Sequence, residues 1–522
     1  MRRAALFVAG AVSLLACTTA SAEPTITIYT DAETYRLGDT IKLSLSGRNR
    51  GDGMSLAVYL GLLTPDGGIY TTQFDGWSEG LEPWIPEIYV PSGFTVYRSP
   101  FWLFGVPCPM PPIQEPGNYS FAAVLTYPGT FDWVSPASFA PFSVVSQSDF
   151  HGGELTEDMT LSGDIMLTRD VVIREGVVLT ISSGSGVRLG KGVGIYVYGG
   201  LIAEGDAPDS IVFERLYPNG AWENISFWDS ADDDQCRLVC CSISGGRGTY
   251  DYAGLQGGGI SCYESSPTIA NNTISGNTAT HGYGGGIYCW RSSPTISNNT
   301  ITGNTASFGG GIYCYGSSPT ISNNTITGNT APFGGGIYCY FGSPTMSNNR
   351  ISDNTAKGDW GGGGGIYCCG SSSPTIRNDT ISDNSAYYGG GIYCMDYSCP
   401  TIENNTISDN LATYYGGGIF RWGYSSPTIS DCIIWANGMD DLGYCSATYC
   451  CIQENNEGEG NIHDDPMFVS GPFGEYYLHP DSPCIDAGSQ SAVGSGLSDR
   501  TTRADGTPDT GTVDMGYHYP IP

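Results

Sequence analysis

The run Gly284-Gly285-Gly286-Ile287-Tyr288-Cys289-Trp290-Arg291-Ser292-Ser293-Pro294-Thr295-Ile296-Ser297-Asn298-Asn299-Thr300-Ile301-Thr302-Gly303-Asn304 is one copy of a sentence written seven times. The copies fill residues 257–437. Aligned on the isoleucine after the glycines, they begin their first apolar run at Ile260, Ile287, Ile312, Ile337, Ile366, Ile392 and Ile419, with steps of 27, 25, 25, 29, 26 and 27 residues. Self-similarity at a period of 20–50 residues is the mark of a solenoid or an array. Within a copy, Ile287, Ile296 and Ile301 sit in three short β-rich runs ended by Gly, Pro or Asn. No run has apolar residues at helical spacing. Three short strands per turn, in register with the turns above and below, describe a parallel β-helix.

The two-residue period of a strand then separates inside from outside. In Ile287-Tyr288-Cys289-Trp290 it sends Ile and Cys inward and Tyr and Trp outward. The interior becomes stacked rows of isoleucine and of Cys262, Cys289, Cys314, Cys339, Cys368 and Cys394. Parallel side chains one strand apart point the wrong way for a relaxed disulfide, so these cysteines read as buried thiols that pack as small hydrophobes. Candidates for disulfides lie instead in the less regular parts, among Cys236, Cys240, Cys241, Cys399, Cys432, Cys445, Cys450, Cys451 and Cys484. Two asparagine rows are expected to be structural. Asn271-Asn272, Asn298-Asn299, Asn323-Asn324, Asn348-Asn349 and Asn404-Asn405 turn the chain between the second and third strands. Asn277, Asn304, Asn329, Asn354, Asn384, Asn410 and Asn437 close the third. Asparagine tolerates left-handed backbone, and its amide can bond the coil above.

These Gly-Gly-x-Ile and Ile-x-x-Asn signatures resemble those of the right-handed parallel β-helix, or pectin-lyase-like, family, and the repeats of bacterial polymorphic outer-membrane proteins. The resemblance implies a fold and leaves the activity open.

The 522-residue chain has room for further domains. Residues 1–22 read as an export signal, with Arg2, Arg3, an apolar run and Ala20-Ser21-Ala22 before Glu23. Leu14-Leu15-Ala16-Cys17 offers the alternative of a lipobox that would lipidate Cys17. Residues 23–148 hold alternating strands such as Thr25–Tyr29, Thr40–Leu45, Ser55–Leu60 and Tyr119–Leu125, which suggest an immunoglobulin-like β-sandwich. The β-helix is expected over 149–440 and a C-terminal capping module over 441–522. The expected class is thus all-β, a right-handed parallel β-helix preceded by a sandwich. A formal charge of −31 argues against nucleic acid or an anionic membrane surface as partner. No run past the signal is long and apolar enough to span a bilayer.

Three outward features could carry function. Tyr288, Tyr313, Tyr338, Tyr367, Tyr393 and Phe420 form a row on the first strand, with Trp290, Tyr315 and Tyr340 beside it. Tyr283, Phe308, Phe333, Trp360, Tyr388 and Tyr415 precede the glycines. A strip of rings repeating at about 4.8 Å suits successive sugar rings, and suits cross-strand packing as well. The candidate ligand-binding residues are Tyr288, Trp290, Tyr313, Tyr315, Tyr338, Tyr340 and Trp360. Second, Asp353, Asp383 and Asp409 stand where earlier copies have Gly276, Gly303 and Gly328. Stacked carboxylates repel unless a cation intervenes, which makes them calcium candidates; solvated turn residues are the other reading. Third, the insertion Lys357-Gly358-Asp359-Trp360 is expected to adjoin Arg350 and Arg377 and so to gather scarce positive charge beside carboxylates. A polysaccharide lyase would need calcium-binding carboxylates and an Arg or Lys base, and a retaining glycosidase two carboxylates about 5–5.5 Å apart. Asp353, Asp383, Asp409, Arg350, Lys357 and Arg377 are the residues that could be cast in those parts. His151, His281, His463, His479 and His518 show no metal-binding spacing.

Near-identical coils speak against a catalytic constellation. The expectation is a monomeric, secreted or surface-held scaffold that adheres to polysaccharide or cell-surface glycan. It needs no cofactor, calcium being the one ion its carboxylates suit. A lyase or hydrolase acting on acidic polysaccharide and a purely structural spacer are the alternatives.

Overall fold

The computed structural model describes residues 24–30, 34–36, 43–50, 52–63, 69–73, 76–79, 85–90, 95–101, 117–130, 132–145, 150–248, 250–251, 254–255 and 257–521. The signal segment and Cys17 lie outside them. The chain divides into two compact units, residues 1–147 and 148–522.

The described residues of the first unit form two sheets. One joins Thr25–Thr30, Leu43–Arg48 and Thr95–Phe101 antiparallel. The other has seven strands centred on Met54–Leu63 and Gly117–Thr126. Both faces of these central strands are buried, one carrying Ala57, Tyr59, Ala122 and Val124 and the other Leu56, Leu60, Leu62, Phe121 and Ala123.

The second unit is a right-handed parallel β-solenoid. Three long parallel sheets run its length, of 12, 11 and 12 strands. The first sheet runs from Gly153–Leu155 to Leu442–Gly443, the second from Met159–Leu161 to Thr428–Ser430, and the third from Asp164–Leu167 to Cys451–Ile452. Register places like on like: Ile287 faces Ile312, Ile312 faces Ile337, and Cys289 faces Cys314. The interior is therefore continuous rows of isoleucine and cysteine, all fully buried, with Met346 taking an isoleucine's place in the second sheet.

The triple glycine is what allows the coils to close. Gly309 has φ +63°, and a Cβ there would come within 2.4 Å of the Ile312 carbonyl oxygen. At Gly310 a Cβ would lie 2.4 Å from the Gly335 carbonyl oxygen of the next coil. Only a residue without a side chain allows backbone to approach backbone this closely.

Both asparagine rows form. Asn271, Asn298, Asn323, Asn348 and Asn404 take left-handed backbone, with φ of 55–58°. Behind them Asn299 Nδ2 donates to Asn324 Oδ1 at 3.0 Å and to the Ile269 carbonyl at 2.9 Å, and the pattern repeats coil after coil. The other row, from Asn277 to Asn437, does the same. The buried amides of these two ladders are thus satisfied, which is the condition for keeping them out of water, whereas Asn404 of the turn row is buried with both amide atoms unpartnered.

The structure departs from three strands per coil. A fourth, six-stranded sheet links Thr278–Tyr283, Thr305–Phe308, Thr330–Ala331, Thr355–Ala356, Ser385–Tyr388 and Leu411–Tyr415. Each member buries one alanine and, where it carries rings, carries them at its C-terminal end, so no regular hydrophobic period announced them. The sixteen described cysteines are all free, including those read as disulfide candidates. Cys289, Cys339 and Cys394 are held well above the usual thiol range by contacts with neighbouring thiols and by burial.

The C-terminal segment does more than end the stack. Leu442–Gly443 and Cys451–Ile452 continue the first and third sheets, while Leu478, Cys484 and Met515 cluster with Ile433. The chain then runs back along the third sheet. Tyr517 N donates to Thr406 Oγ1 at 3.0 Å, and Asn378 exchanges two hydrogen bonds with the His518 backbone, at 2.9 and 2.6 Å. Thr380, Ser382, Thr406 and Ser408, which point outward, are consequently buried, whereas Thr300 at the equivalent position is exposed.

Candidate ligand-binding surface

The rings on the first sheet do leave the Ile–Cys interior, and they enter a second apolar cluster. Tyr288, Tyr313, Tyr338, Tyr367, Tyr393 and Phe420 are buried, Tyr313 to 3% exposure. They lie under the half-buried Tyr283, Phe308, Phe333, Tyr388 and Tyr415 carried into the glycine corner by the fourth strands. Tyr283 stacks on Tyr313 at 4.7 Å, Phe308 on Tyr338 at 5.8 Å and Phe333 on Tyr367 at 5.7 Å. Of the two readings of Tyr288, Tyr313 and Tyr338, a strip facing sugar rings or cross-strand packing, their burial in this cluster agrees with packing. Their hydroxyls are pushed upward in pKa chiefly by burial.

Trp290, Tyr315 and Tyr340 are half-buried at the rim of that cluster. Arg291 lies 4.6 Å over the Trp290 ring, and Tyr340 packs against Tyr315 at 5.5 Å and Phe341 at 4.3 Å.

The open aromatic surface lies elsewhere. Trp360, on the inserted loop, is 73% exposed, and its ring lies 6.4 Å from Tyr387. Tyr387 is 5.5 Å from Tyr414 with the planes 9° apart, and Tyr414 is 47% exposed. These three come from consecutive coils. Tyr387 stands edge-on to Tyr388, and Tyr414 to both Tyr388 and Tyr415, so the outer rings are seated on the inner ones. The signal for Tyr387 and Tyr414 was the doubling Tyr-Tyr before the glycines: adjacent strand residues face opposite ways, so one of each pair must point out. A second exposed pair, Tyr397 and Tyr424, stacks at 5.2 Å past the end of the first strands.

The acidic row is real and exposed. Asp353, Asp383 and Asp409 have φ of 58°, 56° and 58°, the left-handed turn that Gly276, Gly303 and Gly328 make in earlier coils. Partial burial raises the Asp383 carboxyl first, and the charges of Asp353 and Asp409 add to it, while Ser382 and Arg350 oppose. Asp409 accepts from Tyr476 of the C-terminal segment at 3.1 Å. The cations cast beside this row are not assembled on it. Arg350 Nε contacts Ser352 Oγ at 3.4 Å, Arg377 bonds the Ser495 carbonyl, and Lys357 lies beyond the fourth strand. Among the described residues no ion pair links these six side chains.

A tighter carboxylate group occurs in the C-terminal segment, where one oxygen each of Asp486, Asp509 and Asp514 lie within 4.8 Å of one another. His518 Nε2 contacts Asp509 Oδ2 at 2.8 Å, and Thr502 donates to Asp514 at 2.5 Å. Burial raises the Asp514 carboxyl. Such an all-oxygen set matches the preference of a hard cation such as calcium.

A feature with no counterpart in the sequence reading is a cleft of about 590 Å³ lined by Lys191, Arg215, Trp222, Arg247 and His281, among others. Its cations are separated by up to ninety residues, in coils without regular spacing. Only the stacking of coils brings them together.

A family model described as right handed beta helix region matches residues 229–381 and 285–468. Over 87 residues the chain is 33% identical to Protein bark beetle of Drosophila melanogaster, a match that covers 16% of this chain and 3% of that one. No solved structure gives a significant match. Among the described residues no helix is long and apolar enough to cross a membrane.

Proposed function

We propose that this chain is an exported, non-catalytic β-helix scaffold that binds carbohydrate through its exposed aromatic edge. The observation that carries the reading is the row Trp360, Tyr387 and Tyr414, one ring per coil, with Trp360 and Tyr414 open to solvent, Tyr387 half-buried between them, and Tyr387 and Tyr414 seated on the half-buried Tyr388 and Tyr415. A planar apolar side chain with a polar tip can pack on the faces of sugar rings while its N–H or O–H meets their hydroxyls. Successive coils bring such groups at about 4.8 Å intervals. A rigid platform also spares the ligand the cost of ordering its receptor. Residues 1–22 serve in this reading as the export signal, and the strands of residues 23–148 as a sandwich spacer. Catalysis is disfavoured because the acidic row lacks an assembled base, and because the C-terminal segment contacts one of its members.

The test is retention of the purified protein on immobilised neutral polysaccharides, with and without a calcium chelator, alongside an assay for new reducing ends and unsaturated products. Binding that falls at least about tenfold in the Trp360→Ala, Tyr414→Ala double variant supports the reading. Released products would sink it in favour of an enzyme, and no retention on any polysaccharide would leave a structural spacer.

A further inference from the structure

We infer that the cleft at the start of the regular coils is a second site, specific for a short anionic saccharide bearing carboxylate or sulfate groups. The inference rests on the carbohydrate-binding reading above and assigns a ligand class to a different place on the solenoid. Four cationic or protonatable side chains line the cleft: Lys191, Arg215, Arg247 and His281. They come from four consecutive coils. Gly192 N bonds the Ala221 carbonyl at 3.0 Å, Arg247 N bonds the Trp222 carbonyl at 2.8 Å, and Gly248 N bonds the Thr278 carbonyl at 3.0 Å, each across one coil step. Arg215 ends the strand whose partner is Leu189. Three coil steps set these charges along about 14 Å of the solenoid.

No Asp or Glu is among the described lining residues. That is unexpected in a chain with 52 acidic and 21 basic residues. The nearby carboxylates are engaged elsewhere: Glu214 with Arg188 at 3.1 Å, and Glu223 with the Tyr196 hydroxyl at 2.5 Å. Lys191, Arg215 and Arg247 form no ion pair among the described residues, whereas Arg174, Arg188, Arg237 and Arg291 each do.

Arg215 is also held in place. Its Nη1 donates to the Pro218 carbonyl at 3.1 Å, and its guanidinium covers Gly245, where a Cβ would come within 2.5 Å of Nε. A guanidinium fixed this way is ready to accept a planar carboxylate or a sulfate without further ordering. The volume, about 590 Å³, is that of a small-ligand site. The overall charge of −31 limits how long a polyanion can extend beyond the cleft before repulsion opposes it. A short acidic saccharide, or the acidic end of a longer one, meets both conditions.

The experiment is titration calorimetry of the full chain with a uronate trisaccharide, a sulfated trisaccharide, the neutral counterpart, inorganic sulfate and a short single-stranded RNA. Binding of either acidic trisaccharide is expected. It should weaken at least about tenfold between low and high salt. The same loss is expected in Arg215→Glu and in Arg247→Glu, two exposed positions where circular dichroism should show the fold intact. Trp360→Ala with Tyr414→Ala should leave this binding unchanged. Equal affinity for the neutral sugar, for sulfate alone or for RNA would overturn the assignment, as would indifference to both charge reversals or no binding of either acidic sugar. Loss of neutral-polysaccharide retention alone would count against the aromatic edge and leave the cleft standing, so the two readings fail separately.

Discussion

At the scale of the residue, Asp379 is where the repeat breaks its own rule. Every other described member of its buried row in the regular coils up to Asn405 is asparagine, from Asn272 through Asn349, and each amide donates both to the next coil and to a carbonyl of the coil before. Asp379 Oδ1 accepts from the backbone and side-chain amides of Asn349, at 2.5 and 2.9 Å, but Oδ2 is buried without a partner. An aspartate has no donor to give unless it is protonated. Burial accordingly raises its carboxyl from 3.8 to about 7, opposed by the bonds from Asn349. The folded pKa exceeds the unfolded one, so the native state holds the proton more tightly. Stability from this group is greatest below pH 3.8 and is lost as pH rises towards about 7, by at most about 4 kcal/mol for a shift near three units. Asp379→Asn should therefore melt higher than the parent at pH 8 and by a much smaller margin at pH 5. Thermal unfolding of both proteins at both pH values reads this directly, and equal margins would refute it.

At the scale of the element, two aromatic rows of like composition have opposite physical roles. Tyr338 is buried between Tyr313 at 4.9 Å and Tyr367 at 4.8 Å, so Tyr338→Ala removes packing on both sides. Large-to-small changes of this kind cost about 3–5 kcal/mol. Trp360 is 73% exposed, and Trp360→Ala should change stability by no more than about 0.5 kcal/mol while weakening glycan retention. Chemical denaturation followed through the solenoid's unfolding distinguishes them, and a Trp360→Ala loss as large as that of Tyr338→Ala would contradict the division. The sequence made the sides of each strand readable because Ile, Tyr, Cys and Trp alternate with a period of two. It could not show what covers the outward side. The fourth strand, as short as Thr330–Ala331, has no apolar alternation, and a covering ring such as Phe308 over Tyr338 stands only at the end of one. The turn role of Asp353 was readable from the glycine it replaces, and the insertion at Trp360 from its length. The Lys191–His281 cleft was not, because its residues share no motif and meet only through coil stacking.

At the scale of the whole molecule, register makes the solenoid a sum of neighbouring interfaces, and such molecules open locally where an interface is weakened. The later coils differ from the earlier ones in having a second layer. Residues 476–519 supply it: Tyr476 on Asp409, Tyr517 on Thr406, the His518 backbone on Asn378, and Ser489 on Asp431 at 2.7 Å. This layer adds no apolar period to the repeat, which is why the tail read simply as an end cap. It covers outward threonines and serines that would otherwise be hydrated, and a polar group buried this way depends on its bonds being kept. Asn378 is the place to test it, since its side chain is buried and makes two bonds to His518, at 2.9 and 2.6 Å. Asn378→Ala leaves a backbone donor and acceptor of His518 without those partners, a local loss of about 2–4 kcal/mol. Amide exchange should then accelerate in residues 516–519 and in the strands Thr380–Ser382 and Thr406–Ser408, and stay unchanged in Thr300–Thr302, which lies outside the covered coils. A uniform acceleration along the solenoid would mean that the C-terminal layer stabilises the stack as a whole, and no acceleration in the covered strands would mean that it does not hold them at all.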